Sequence, residues 1–183
     1  MARALVIVPG LGNSGPEHWQ SHWQRAYPHA KRVEQDDWHH PRLAEWMETL
    51  DATVRASEEP VVIAAHSLGC ALLAHWAETR DTSRVAGALL VAPADVDSPR
   101  HTPPEAREFA PMPMRKLPFP ARVVASEDDP FVDFRHARAL AEAWGADFVN
   151  AGKEGHLNAA SGLGAWPKGQ AELCALLGAE SLE

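Results

Sequence analysis

Three residue types set in turns could do nucleophilic chemistry together in this chain: a serine, an aspartate and a histidine. The serine is Ser67, within Val61-Val62-Ile63-Ala64-Ala65-His66-Ser67-Leu68-Gly69-Cys70-Ala71-Leu72-Leu73. An apolar run stops at one hydroxyl, Gly69 follows two residues later, and a helix-forming Ala/Leu stretch takes over. This is the strand, tight turn and helix in which a G-x-S-x-G turn projects a nucleophilic Oγ from a sheet edge. Ala65 stands where the first glycine of that pattern belongs, a small departure. The helix that follows would aim its free N–H groups and positive dipole end at the same spot. The plainer reading is a serine that only caps a helix.

A nucleophilic serine needs a base and a group to orient it, expected here in the chain order Ser, Asp/Glu, His. Downstream, Ala121-Arg122-Val123-Val124-Ala125-Ser126-Glu127-Asp128-Asp129-Pro130-Phe131-Val132 holds a short apolar strand that ends in an acidic turn. Asp147-Phe148-Val149-Asn150 is the last strand, followed by a glycine-flanked loop holding His156. Both turns lie just beyond the carboxyl ends of strands, where a parallel sheet gathers its functional groups. His156 would take the serine proton and return it to the leaving group, while the carboxylate fixes the tautomer. His66 is too close in sequence on so sharp a turn, and His39 and His40 precede the serine. Asp129 is favoured as the acid because it stands three residues before the apolar Val132; Asp128 is the runner-up, and Asp95 and Asp97 are more distant options.

Ala4-Leu5-Val6-Ile7-Val8 runs into Pro9-Gly10-Leu11-Gly12-Asn13-Ser14-Gly15-Pro16, a turn with exposed backbone. Acyl transfer requires two N–H donors for its oxyanion. The backbones of Leu68, next to the nucleophile, and Leu11, in this first loop, are the expected pair. A phosphate cradle is excluded, because the loop has no lysine and no G-x-x-x-x-G-K-[ST] pattern.

The elements that must position these groups alternate. Strands are expected at 4–8, 31–35, 61–65, 85–91, 122–126 and 147–150, and helices at 16–26, 41–57, 68–79, 134–144 and 166–178. Strand alternating with helix means an α/β fold, a mostly parallel sheet of about six strands with helices on both faces. The 183 residues suit one domain, 1–183, with no cap domain. Residues 93–120 are irregular and hold eight of the fifteen prolines, which makes them either a flap over the site or a fixed surface connection. The net charge of −8 argues against nucleic acid. The apolar run before Pro9 is too short for a signal sequence or membrane span. Two cysteines fit a reducing, cytoplasmic setting, with Cys70 a buried helix residue.

Together these features resemble a known family, the small single-domain serine hydrolases of the retinoblastoma-binding protein 9 and YdeN type. The resemblance rests on Pro9-Gly10 with His18-Trp19 and Trp23, on Gln35-Asp36-Asp37-Trp38 with Pro41, and on Ala65-His66-Ser67-Leu68-Gly69. It continues through Asp128-Asp129-Pro130-Phe131 and Gly155-His156-Leu157-Asn158 to Ser161-Gly162-Leu163-Gly164-Ala165-Trp166-Pro167, and so spans nearly the whole chain. It implies a minimal α/β-hydrolase fold without the two antiparallel strands that usually open it, and a triad of Ser67, Asp129 and His156. The L-x-C-x-E segment for which eukaryotic relatives are named is not preserved, since Leu68-Gly69-Cys70-Ala71-Leu72 ends in leucine.

Other features are read more plainly. His18 and His22 lack the glutamate and third ligand of a zinc helix, and Asp36-Asp37-Trp38-His39-His40 reads as a turn near the site, so no metal is expected. Trp19, Trp23, Trp46 and Trp144 fall at core positions of helices. Asn13, His18, Trp38 and Trp166 are candidates for the pocket wall. The reading is a cofactor-independent serine hydrolase, a carboxylesterase acting on small acyl esters. An amidase or aminopeptidase with the same residues is one alternative, and a catalytically idle fold that binds a protein is another.

Overall fold

The computed structural model describes residues 3–182. Its six strands are β1 (Ala4–Val8), β2 (Lys31–Arg32), β3 (Val61–His66), β4 (Val85–Val91), β5 (Ala121–Ala125) and β6 (Asp147–Asn150). They form one sheet in the order β2-β1-β3-β4-β5-β6, and every pairing is parallel. The helices are α1 (Trp19–Ala26), α2 (Leu43–Arg55), α3 (Leu68–Thr79), α4 (Phe134–Trp144) and α5 (Pro167–Leu177). This is a minimal α/β-hydrolase fold, with no cap domain among the described residues.

The central strands are buried on both faces, which is why they read as continuous apolar runs rather than alternating ones. Successive residues still point to opposite sides. Ala4, Val6, Val8, Val61, Ile63 and Ala65 join a core with Trp46, Leu50, Trp76 and Trp144, beneath α2, α3 and α4. Leu5, Ile7, Val62 and Ala64 join the other core, with Trp19, Trp23, Trp166 and Leu173 of the α1 and α5 side.

Two expected boundaries move by three residues, each for a local reason, and the others by two at most. The strand expected over 31–35 pairs only at Lys31 and Arg32. Val33 adds one bond to Ile7, and the chain then leaves the sheet edge as Gln35 turns its amide onto the Trp46 carbonyl. The first helix begins at Trp19 rather than near 16, because the His18 ring accepts from the Gln20 N–H and caps it.

Residues 93–120 are packed down rather than detached. Ala106, Phe109, Met112, Leu117 and Phe119 are buried in the α2/α3/α4 core. Trp144 Nε1 donates to the Pro113 carbonyl at 2.8 Å, and His75 Nε2 lies 2.7 Å from the Phe109 carbonyl. The segment packs as a wall beside the carboxyl end of β4. No helix among the described residues is long and apolar enough to cross a membrane.

Candidate active site

The parallel sheet brings three turns together at one edge. Ser67 sits between β3 and α3 with φ 55° and ψ −119°, a conformation that costs a non-glycine residue on the order of 1–3 kcal/mol. Surrounding bonds hold it there: Ser67 N–H donates to Val91 O at 3.0 Å, and its carbonyl accepts from Cys70 N at 3.0 Å and Ala94 N at 3.1 Å. The turn can be this tight only because Gly69 lacks a side chain, since a Cβ there would lie 2.4 Å from the Val8 carbonyl oxygen. The hydroxyl makes no capping bond to the helix, unlike that of an ordinary N-cap serine.

Instead, Ser67 Oγ lies 2.9 Å from His156 Nε2. On the far side of the ring, His156 Nδ1 lies 2.9 Å from both carboxylate oxygens of Asp129. A carboxylate only accepts, so Nδ1 carries the hydrogen and Nε2 presents its lone pair to the serine hydroxyl. The Asp129 side chain is fully buried and also accepts from Phe131 N–H at 2.9 Å. The Phe131 ring meets the imidazole edge-on at 4.7 Å.

Asp128 faces another way. Its Oδ1 accepts from Ser126 Oγ and from Gly155 N–H, both at 2.8 Å, so it staples the acidic turn to the histidine loop. The Gly155 N–H and then the Ser126 hydroxyl hold its carboxyl below the usual carboxylate range. Asp95 also turns away from His156, toward His101 and His136. Asp97 accepts from Met112 N–H and anchors the wall segment.

The first loop lies directly against the serine turn. A Cβ on Gly10 would sit 3.1 Å from Leu68 N and 3.2 Å from Ser67 Cβ. Gly12 N–H is taken by the Trp38 carbonyl and Asn13 N–H by Gly10, whereas the backbone N–H groups of Leu11 and Leu68 are bonded to no group among the described residues. A cavity of about 290 Å³ opens here, lined by Ser67, His156, Leu11, Leu68 and Phe131 together with Ala94, His101, Thr102, Pro103, Ala106 and Asn158.

The comparisons with known proteins decide the family. The chain matches the serine hydrolase family over residues 5–175. It is 32% identical to a YdeN-like hydrolase from Pectobacterium atrosepticum, with 97% of this chain and 91% of that one covered and a TM-score of 0.85. This chain belongs to the serine hydrolase family. The ydeN gene product from B. subtilis shares the fold at 20% identity, a TM-score of 0.78 and coverage of 97% and 100% of the two chains. A monoacylglycerol lipase from Paleococcus ferrophilus shares it at 13% identity, with a TM-score of 0.68 and coverage of 97% and 96%. No curated protein sequence matches the chain.

None of the four pocket candidates lines the cavity of this serine hydrolase. Trp166 packs against Trp19 at 5.1 Å and Trp23 at 6.1 Å, on the opposite face of the sheet from the α2/α3/α4 core. Trp38 meets Trp46 edge-on at 5.6 Å and supports the first loop through its carbonyl. Asn13, at φ 64°, accepts at its Oδ1 from Ser14 N–H and from the Arg32 guanidinium. His18 lies one layer below, its ring 4.7 Å from His66, whose own ring is 4.9 Å from His156. Burial first, then the Arg32 charge and then His156, lower the His18 pKa from 6.5 to about 3, so the ring is neutral.

The supporting groups escape sequence reasoning. Arg32 on the edge strand ties Asn13, Ser14 and Ser21 together at 2.7–2.9 Å and so shapes the first loop. Buried Gln20 bonds the Val8 and Ala64 carbonyls at 3.1 and 3.0 Å. A polar side chain spaced among the tryptophans of α1 was the available signal. Burial pushes the Cys70 thiol up, so it stays an inert packing group beneath the serine turn.

Proposed function

We propose that this serine hydrolase is a carboxylesterase for small acyl esters, with Ser67 as nucleophile, His156 as general base then acid, and Asp129 orienting the imidazole. The observation that carries the reading is the unbroken run of contacts from Ser67 Oγ through His156 to Asp129, each 2.9 Å. Ser67 Oγ adds to the ester carbonyl carbon as its proton passes to His156 Nε2. The carbonyl oxygen becomes an oxyanion facing the N–H groups of Leu68 and Leu11. Collapse breaks the ester C–O bond, and the alcohol leaves with the proton held on His156. A water then hydrolyses the acyl-serine by the same steps in reverse, the second proton returning to Ser67.

The cavity supports a small, mostly apolar acyl group. Its walls include Leu11, Leu68, Ala94, Pro103, Ala106 and Phe131, with no aspartate or glutamate lining it to fix a peptide amino terminus. That favours esters over an aminopeptidase reading, which matched esters and anilides separate by their relative rates.

The test is treatment of the purified protein with a fluorophosphonate, read by intact mass. A single adduct that maps to Ser67 and is absent in Ser67→Ala and His156→Ala is the expected result. A folded protein that takes no label would overturn the assignment in favour of a binding role.

A further inference from the structure

The cavity wall carries a polar group, His101, that the proposed reaction does not use, and Asp95 stands behind it. Asp95 follows β4 just after Ala94, whose N–H holds the Ser67 carbonyl. Its carboxylate is nearly buried, at 10% exposure, and faces two imidazoles: Oδ2 lies 3.1 Å from His101 Nδ1, and Oδ1 lies 3.3 Å from His136 Nε2 of α4. Thr102 Oγ donates to the Asp95 carbonyl and closes the turn. The wall is therefore tied to the nucleophile turn on one side and to α4 on the other.

This arrangement determines what His101 offers the cavity. A carboxylate accepts hydrogen bonds and cannot donate them, so His101 Nδ1 carries the hydrogen, and in the neutral ring Nε2 is an acceptor. His101 lines the cavity, and its Nε2 has no hydrogen-bond partner among the described residues and is not sealed from solvent. Around it the wall is Ala94, Pro103 and Ala106. Thr102 has already spent its hydroxyl hydrogen on the Asp95 carbonyl. Asn158 also lines the cavity, and because its Oδ1 accepts from Ala160 N–H, what its amide has left to offer is its hydrogens, as donors.

We infer that His101, held by Asp95 in the Nδ1–H tautomer, is a specificity-determining residue that selects esters carrying a hydroxyl group in the part of the substrate seated in this cavity. The inference rests on the proposed esterase reading of Ser67. A hydroxyl donates to His101 Nε2; a methyl group leaves that nitrogen unpaired, and an ether oxygen meets it lone pair to lone pair. Bound substrate shuts that nitrogen off from water, and leaving it then without a partner is what makes such a site reject the analogue that lacks the hydroxyl.

Two matched ester series test this. In one the leaving group is p-nitrophenol and the acyl part is isovalerate, β-hydroxybutyrate or β-methoxybutyrate. In the other the acyl part is acetate and the alcohol is propanol, ethylene glycol or methoxyethanol. The wild type is expected to favour the hydroxyl member of one series by about tenfold in kcat/KM over its methyl and methoxy partners. Asp95→Asn provides the informative change. Its amide can donate to His101 Nδ1 while its oxygen still faces His136, which moves the ring hydrogen to Nε2. The methoxy ester should then rise to match the hydroxyl ester, a shift that a merely structural role for Asp95 would not produce. His101→Leu is the second variant and should bring the hydroxyl-to-methyl ratio close to one.

Equal rates for all three members in both series, or an Asp95→Asn protein with an unchanged ratio, would overturn the inference. Fluorophosphonate labelling in parallel separates the two claims. Labelled Ser67 with flat profiles removes only the role of His101, whereas no label and no turnover on any ester removes the esterase reading and this inference with it.

Discussion

His66 Nε2 lies 2.9 Å from the backbone carbonyl oxygen of His156, so the residue before the candidate nucleophile holds the chain segment that carries the candidate base. A carbonyl only accepts, which requires the hydrogen on His66 Nε2. Burial, and then the neighbouring His18 and His156, hold the His66 pKa well below its ordinary value, so the ring stays neutral and keeps that donor role. The next residue, Leu157, has φ 51°, an unfavourable conformation that this bond and the Trp19 Nε1 bond to the Leu157 carbonyl help to hold.

His66→Phe should therefore slow catalysis without touching the reacting groups. Loss of the tether displaces His156 from Ser67, and misplacement of this kind costs about ten- to a hundredfold in kcat/KM. The effect should fall on kcat more than on KM, and His66→Gln, which keeps a donor, should recover part of it. Steady-state kinetics on one ester check both statements.

Asp129→Asn should lower kcat by about ten-thousandfold, because the amide favours the wrong tautomer of His156 while leaving the geometry intact. Asp128→Asn should leave kcat within a few-fold and lower the melting temperature instead, since Asp128 joins Ser126 to Gly155 rather than touching the imidazole. Comparable loss of kcat in both variants would contradict these separate roles.

Gly10→Ala and Gly69→Ala should fail differently. At Gly69 the new methyl would lie 2.4 Å from Val8 O and 2.8 Å from Pro9 O, both backbone atoms that cannot step aside. Destabilisation of about 1–3 kcal/mol or more is expected by denaturant titration. At Gly10 the methyl would sit 3.1 Å from Leu68 N, a contact relieved by a small shift. That variant should fold but obstruct one expected oxyanion donor, with a loss of about a hundred- to a thousandfold in kcat.

Acid sensitivity should trace in part to His18. Its pKa is lowered in the fold from 6.5 to about 3, so between those values the unfolded chain binds a proton that the folded protein does not. The stability this contributes is complete above pH 6.5 and is lost as the pH falls toward 3. His18→Asn keeps an acceptor for the Gln20 N–H and removes the titration. Its stability should fall less steeply than the wild type's across that window, as measured by urea unfolding at a series of pH values.

The order and type of the secondary structure were legible in the sequence because they are local. Apolar β-branched runs, helix-forming stretches and the glycines and prolines between them each act over a few residues, and strand alternating with helix then leaves a parallel sheet as the consistent packing. The placement of Ser67, Asp129 and His156 in turns at the carboxyl ends of β3, β5 and β6 was readable in the same way. Tertiary structure decided where side chains in those turns point and what lines the space between them. Asp128 and Asp129 are adjacent and chemically alike, yet only Asp129 reaches His156, because Ser126 and Gly155 take Asp128. Trp166 reads like a pocket residue in sequence, but α5 carries it to the other face, against Trp19 and Trp23. Residues 101–103 and 106, in a proline-rich stretch with no period to read, supply the cavity wall because Phe109, Met112 and Phe119 anchor that stretch in a core built from distant helices. Strand and helix follow from neighbours along the chain, whereas the direction of a turn side chain and the shape of a cavity follow from neighbours in space.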